Sequence, residues 1–194
     1  MDIFEDFFAP DVFETIRREV TGPTMSWQAI PGIAGNGAVE TPELQDYGLA
    51  CLLPVRESFL ATYIESAVVT EINRRKTLRF SRIERMRIGL QTYAGAKGGS
   101  SAAHVDYEYP HWVLLVYLND ADGDTIFYDM MYEPDSGEHP IEYARKRNEW
   151  LHVKETVTPK ANKAVLFDGM RYHSSSQPTK TQMRYVLNVN FTGV

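Results

Sequence analysis

The sequence predicts an α+β fold, a double-stranded β-helix (jelly roll) flanked by N-terminal helices. Three features carry that reading. Apolar residues recur at helical spacing only before about residue 78. Beyond it the apolar period falls to two, and turn residues punctuate short runs almost to the end. The last run has two faces: Tyr185, Leu187, Val189 and Phe191 on one, Arg184, Val186, Asn188 and Asn190 on the other. That division suits a strand with helices on its aromatic side and a polar interior on the other. At 194 residues the chain reads as one domain over 1–194, with helical support over about 1–78 and the jelly-roll core over about 79–194.

The elements follow in order. Ile3 to Phe8 reads as a short strand. Pro10-Asp11 opens a helix whose apolar side holds Val12, Phe13, Ile16 and Val20, and Gly22-Pro23 ends it. Residues 31–42, rich in glycine and proline, form a loop with no phosphate-binding fingerprint. From Pro54 to Arg75 the residues Val55, Phe59, Tyr63, Val69 and Ile72 fit one helical face, to be packed on a sheet. Arg74, Arg75 and Lys76 complement that helix's C-terminal dipole. Met86, Ile88 and Leu90 then alternate with Arg85, Arg87 and Gln91, and Tyr93 continues the second face. Trp112 to Leu118 is apolar on both faces, as a central strand should be. A turn at 120–124 leads to a strand at Thr125–Tyr128, and residues 132–149 form a polar excursion. Leu151–Val157, Ala164–Phe167 and Tyr185–Phe191 complete the strands.

Composition narrows the function. Hydrophobic residues make up 43% and charged residues 24%, an ordinary globular balance. A net charge of −6 argues against a broad phosphate-gripping surface, so no nucleic-acid partner is expected. Cys51 is the only cysteine, which rules out an intrachain disulfide. The acidic N-terminus lacks a signal-like apolar stretch and no run reaches membrane-spanning length, so the expectation is a cytoplasmic protein with no membrane partner. Oligomeric state is not written in any of these features.

The chemistry gathers at His104-Val105-Asp106. In extended backbone, residues two apart share a face, so imidazole and carboxylate project together. With His173 they make a two-histidine, one-carboxylate set that suits non-haem Fe(II) and leaves three coordination positions open. Arg184, expected on the next antiparallel strand after His173, offers a planar fork for a carboxylate. His111, His139 and His152 read as surface residues or as supports for a ligand.

Over roughly 84–192 the chain resembles the Fe(II)/2-oxoglutarate-dependent oxygenases, and within them the prolyl-4-hydroxylase-like group. The resemblance rests on an ordered series: Gln91-Thr92-Tyr93, His104-Val105-Asp106-Tyr107, Tyr117-Leu118-Asn119-Asp120, Gly123-Asp124-Thr125-Ile126-Phe127, Pro159 through Phe167, then His173 and Arg184. Asn162 stands where the family's Pro-led turn usually has glycine, and Asp124 replaces the second of a glycine pair. Both residues suit turns. The resemblance implies that His104, Asp106 and His173 hold Fe(II), that 2-oxoglutarate chelates it through the keto-acid end, and that Arg184 grips the distal carboxylate. It further implies a hydrogen bond from Tyr93 to the co-substrate, with Asn188 lining the pocket. O2 would be the second co-substrate and ascorbate a candidate reductant. The products would be succinate, CO2 and a hydroxylated peptide or small molecule. Two alternatives stand beside this enzyme: a non-catalytic jelly-roll binding module, and a cupin-like metal enzyme, against which the absence of His-x-His argues.

Overall fold

The computed structural model describes residues 1–31, 47–53, 58–75, 80–93, 95 and 99–193. Strand β1 (Asp2–Phe4) is shorter than the apolar run that suggested it. Helix α1 (Pro10–Thr21) starts where expected, because proline at the first turn lacks only an N–H that would have no helical partner. It buries Ile16 and Val20. Strands β2 (Gln28–Pro31) and β3 (Tyr47–Leu53) pair antiparallel and were not foreseen. Apart from Pro31, which ends β2, the expected 31–42 loop lies outside the described residues.

Helix α2 (Phe59–Arg75) corrects the expected face. Its start at Pro54 and Val55 falls outside the described residues. The buried row is Ala61, Ile64, Val68 and Ile72, whereas Phe59 is 85% exposed and stacks on half-buried Tyr63. Spacing fixes the period of a helix but not its phase when two rows are apolar. Here the compact aliphatic row faces the sheet and the bulkier aromatic row sits at the rim. Arg74 and Arg75 do occupy the last turn, and Arg75 donates to the carbonyls of Asp6 (2.8 Å) and Phe7 (2.9 Å).

The remaining elements are β4 (Phe80–Thr92), β5 (Trp112–Tyr117), β6 (Thr125–Met131), α3 (Pro140–Lys146), β7 (Val153–Val157), β8 (Ala164–Asp168), β9 (Arg171–Ser175) and β10 (Met183–Gly193). They form a seven-stranded antiparallel sheet, β1-β8-β5-β10-β4-β3-β2, and a three-stranded one, β7-β6-β9. Helix α3 lies within the predicted polar excursion. Its signals are present, with Pro140 at the start, Glu142 in the first turn and Arg145 and Lys146 in the last, but one short helix shows little periodicity.

The two faces of β10 behave as predicted. Leu187, Val189 and Phe191 join Met86, Ile88, Leu114 and Val116 in a core under Ile16, Val20, Ile64, Val68 and Ile72 of the helices. Between the sheets a second cluster forms from Val113, Leu115, Tyr117, Phe127, Val157, Val165 and Phe167. A third, with Val105, Met130, Tyr132, Tyr143 and Tyr172, joins α3 to β6 and β9. The double-sheet jelly roll with N-terminal helices is thus the observed architecture.

Asn162 shows how one turn residue locks these layers. Its φ is 65°, in the left-handed region, and its side chain accepts from Phe8 N (2.9 Å) and donates to Phe8 O (2.9 Å). Phe7 and Phe8 are thereby held in the helix-side core. Asn162→Ala loses two buried hydrogen bonds and places a Cβ-bearing residue with no such bonds in that backbone region, so it is expected to cost about 2–4 kcal/mol. Asn162→Gly relieves the backbone and should be about 1 kcal/mol milder. Urea unfolding of both variants checks the order. A glycine variant less stable than the alanine one would remove backbone conformation as the constraint.

Candidate metal centre

The segment before β5 runs as a broken strand beside β9. Ser100 bridges Ser176 and His104 bridges His173, with His104 N to His173 O at 2.9 Å and His173 N to His104 O at 3.0 Å. Directly opposed residues in an antiparallel pair project to the same side, so the imidazoles lie side by side with centroids 4.5 Å apart. Val105 turns away into the cluster behind the small sheet, and Asp106 returns to the histidine side. One ligand atom from each of His104, Asp106 and His173 lies within 4.8 Å of the others.

Local hydrogen bonds set each ligand's chemical form. His104 Nδ1 meets Ala102 O at 3.0 Å and His173 Nδ1 meets Arg171 O at 3.1 Å. A carbonyl only accepts, so Nδ1 carries the proton and the Nε2 lone pair is left for a metal. Burial favours neutral imidazoles, lowering His104 and pushing His173 down to about 4, with His104 adding to the shift at His173. Asp106 Oδ2 accepts from Asn190 (2.7 Å) and Asn188 (3.2 Å), while Arg85 Nη2 sits 2.8 Å from Oδ1. Burial works to raise this carboxyl, but Arg85, the two histidines and Arg87 outweigh it and hold Asp106 well below the usual carboxylate range. Two neutral imidazoles and an ionised carboxylate fit a divalent first-row metal.

A cavity of about 610 Å³, counting its open mouth, extends from His104 and His173 to Arg184. Arg184 is 3% exposed and donates to Gln91 Oε1 (2.8 Å) and Thr125 Oγ1 (2.8 Å). Thr125 also accepts from Tyr117 OH (2.8 Å), so its own hydroxyl proton remains to be donated. Gln91 is fixed in turn by donating to Ser175 Oγ at 3.0 Å. Arg184 and His173 are not on neighbouring strands, contrary to expectation. Strands β9 and β10 follow each other in the chain but belong to different sheets, and the facing of those sheets brings the two side chains to one cavity.

Other expected residues fare differently. Asn188 lines the cavity, but its observed contact is to Asp106. Tyr93 lies just past the end of β4, is 46% exposed and is not on the cavity wall. The alternation that turns Arg87 and Gln91 inward stops with the strand, and Gln91 and Thr125 are among the side chains that meet Arg184. His139 and His152 are exposed, as anticipated. His111 is not a surface residue: it is 4% exposed, and its ring fills the space where a side chain on Gly169 would sit. Gly123 has a similar logic, since an added Cβ would lie 2.6 Å from Ser176 O and 3.1 Å from Arg184 Cδ.

No protein-family model and no curated protein matches the sequence. Solved structures do. A Trichoplax adhaerens prolyl hydroxylase, solved with a hypoxia-inducible-factor peptide, is 14% identical, with a TM-score of 0.61 over 98% of this chain and 82% of its own. The non-haem α-ketoglutarate-dependent epimerase SnoN of nogalamycin biosynthesis is 12% identical, with a TM-score of 0.66 over 98% and 77%. The fold is that of the 2-oxoglutarate/Fe(II) oxygenases. HygX from Streptomyces hygroscopicus, solved with nickel and 2-oxoglutarate, shares this oxygenase fold at 10% identity, with a TM-score of 0.58 over 97% and 81%. The resemblance read from the motif series, prolyl-4-hydroxylase-like group included, therefore holds at the level of fold. In this chain a polar series Ser175–Gln91–Arg184–Thr125–Tyr117 runs through the site. Of its members only Arg184 was given a role from the sequence; Gln91, Tyr117 and Thr125 entered only as parts of the motif series.

Proposed function

We propose that the protein is an Fe(II)- and 2-oxoglutarate-dependent oxygenase that hydroxylates a peptide or small molecule, its residues 1–194 acting as one domain. The observation that carries this reading is that the two histidines of a two-histidine, one-carboxylate set line the same cavity as a braced, buried arginine. A metal at the first end suits chelation of a keto acid, and a guanidinium at the second suits its distal carboxylate. Fe(II), when bound, supplies the activation of O2 that couples decarboxylation of 2-oxoglutarate to oxidation of a C–H bond. The protein's residues do the rest. His104 and His173 offer Nε2 lone pairs, Asn188 and Asn190 orient Asp106, and Arg184 with the Thr125 hydroxyl binds the co-substrate's far end.

The test is succinate release during a substrate screen, run in air and anaerobically. Succinate is expected only when Fe(II), 2-oxoglutarate and air are all present, and its rate should rise with the true substrate. If 2-oxoglutarate neither binds the Mn(II)-loaded protein nor yields succinate with any substrate, the binding-module reading takes its place.

A further inference from the structure

Strand β4 turns Arg87, Gly89 and Gln91 toward the cavity, with Arg85 on the same face at its edge. Two of the three polar side chains have partners there. Arg85 is matched to Asp106, and Gln91 to Arg184 and Ser175. Arg87 is different. Its Nε is buried and donates to nothing, and the side chain makes no hydrogen bond or ion pair with a described residue. Across the β4–β10 ladder stands Asn188, whose Oδ1 is also buried without a partner. Among the described residues Arg85 and Arg87 share one carboxylate, Asp106, as counter-charge, so a ligand carboxylate would supply the second negative charge that this pair of guanidiniums lacks.

The co-substrate's demands are met elsewhere in the cavity. Its keto-acid end belongs on the metal and its distal carboxylate on Arg184. Arg87 lies at the metal end beside His104 and leaves one positive charge over. We propose that Arg87 binds a carboxylate of the primary substrate, which makes that substrate a carboxylic acid; this rests on the oxygenase reading of the same cavity. A single planar guanidinium matches a monoanionic, planar carboxylate, whereas a phosphate dianion would bring more charge than one arginine offsets. Gly89, the next inward position, adds no side chain to the wall between Arg87 and Gln91.

Acetate serves as the probe, titrated by calorimetry into Mn(II)-loaded protein with and without saturating 2-oxoglutarate. Wild type is expected to bind acetate, and Arg87→Gln to bind it at least about tenfold more weakly. Affinity for 2-oxoglutarate should change by less than about threefold in that variant, because the co-substrate's own contacts are intact. Arg87→Met gives a reading independent of any ligand: removing a partly buried cation that forms no hydrogen bond or ion pair with a described residue should raise the melting temperature of the unloaded protein by about 2–6 °C. Equal acetate affinities in wild type and Arg87→Gln would overturn the proposal. So would a fall in 2-oxoglutarate affinity as large as that for acetate, which would make Arg87 a co-substrate ligand, or a lowered melting temperature in Arg87→Met, which would make it structural. Should wild type fail to bind 2-oxoglutarate at all, the oxygenase reading fails, and the acetate arm with Mn(II) alone still reports on Arg87.

Discussion

The double variant His104→Ala/Asp106→Ala is expected to lose divalent-metal binding and remain folded. Three side chains supply the site, and each is held in ligand form by its own partners: His104 by Ala102 O, His173 by Arg171 O, Asp106 by Asn188 and Asn190. Removing a supporting partner of a metal ligand costs about 10–100-fold in affinity, so removing two of the ligands should cost more than about 100-fold. The fold should survive, because His104 and Asp106 belong to the ligand cluster and neither is part of the main core under the helices. Thermal melting gives a second readout. Mn(II) at about 100 times its dissociation constant stabilises a native protein by about 2.7 kcal/mol. For a chain of this size that is a rise of about 5–11 °C. Wild type should show it and the double variant should not. If the variant melts as a cooperative unit and still gains the full increment, the three residues are not the ligands.

The legibility of this site followed from chemistry that few residue types can perform. His104, Asp106, His173 and Arg184 stood out because imidazoles, a carboxylate and a guanidinium at these positions have few common roles inside a jelly roll. Gln91 and Thr125 appeared in the motif series but were given no role there, although they brace Arg184. An uncharged amide and a hydroxyl on strands are ordinary, and only the sheet-to-sheet contact shows which cation they meet. Fold followed the same rule. Long runs such as β5 and β10 were plain from apolar pattern, but β9, Arg-Tyr-His-Ser-Ser, has no alternation to read and is a strand because β6 pairs with it. Helix α2 was visible as a helix, while the choice between its two apolar rows was made by the surface it packs against. Tyr93 failed for a local reason: the face it continues in the sequence ends with β4 at Thr92.

Arg184→Gln is expected to weaken 2-oxoglutarate binding by roughly one to two orders of magnitude while leaving metal affinity within about twofold of wild type. A charge-assisted, bidentate contact in a partly desolvated site is worth about 1.5–3 kcal/mol, which sets that range. The buried surroundings of Arg184 add a structural consequence. Gln91 Oε1 and Thr125 Oγ1 each accept one of its N–H groups; Thr125 keeps the Tyr117 hydroxyl, but the shorter glutamine leaves Gln91 Oε1 without its arginine donor, at a cost of about 1–3 kcal/mol in stability. Binding must therefore be measured well below the variant's melting temperature. Arg184→Lys keeps the charge but reaches these two acceptors less well than a planar fork, and it should fall between wild type and the glutamine variant. Metal affinity serves as the control, because none of the three metal ligands accepts from Arg184 in the bonds that brace it. Titration with 2-oxoglutarate under anaerobic conditions, with Mn(II) bound, separates the two effects. An unaltered 2-oxoglutarate affinity in Arg184→Gln would mean that the co-substrate is held elsewhere or is another molecule. A parallel loss of metal and 2-oxoglutarate binding would instead mean that Arg184 matters through the fold of the cavity.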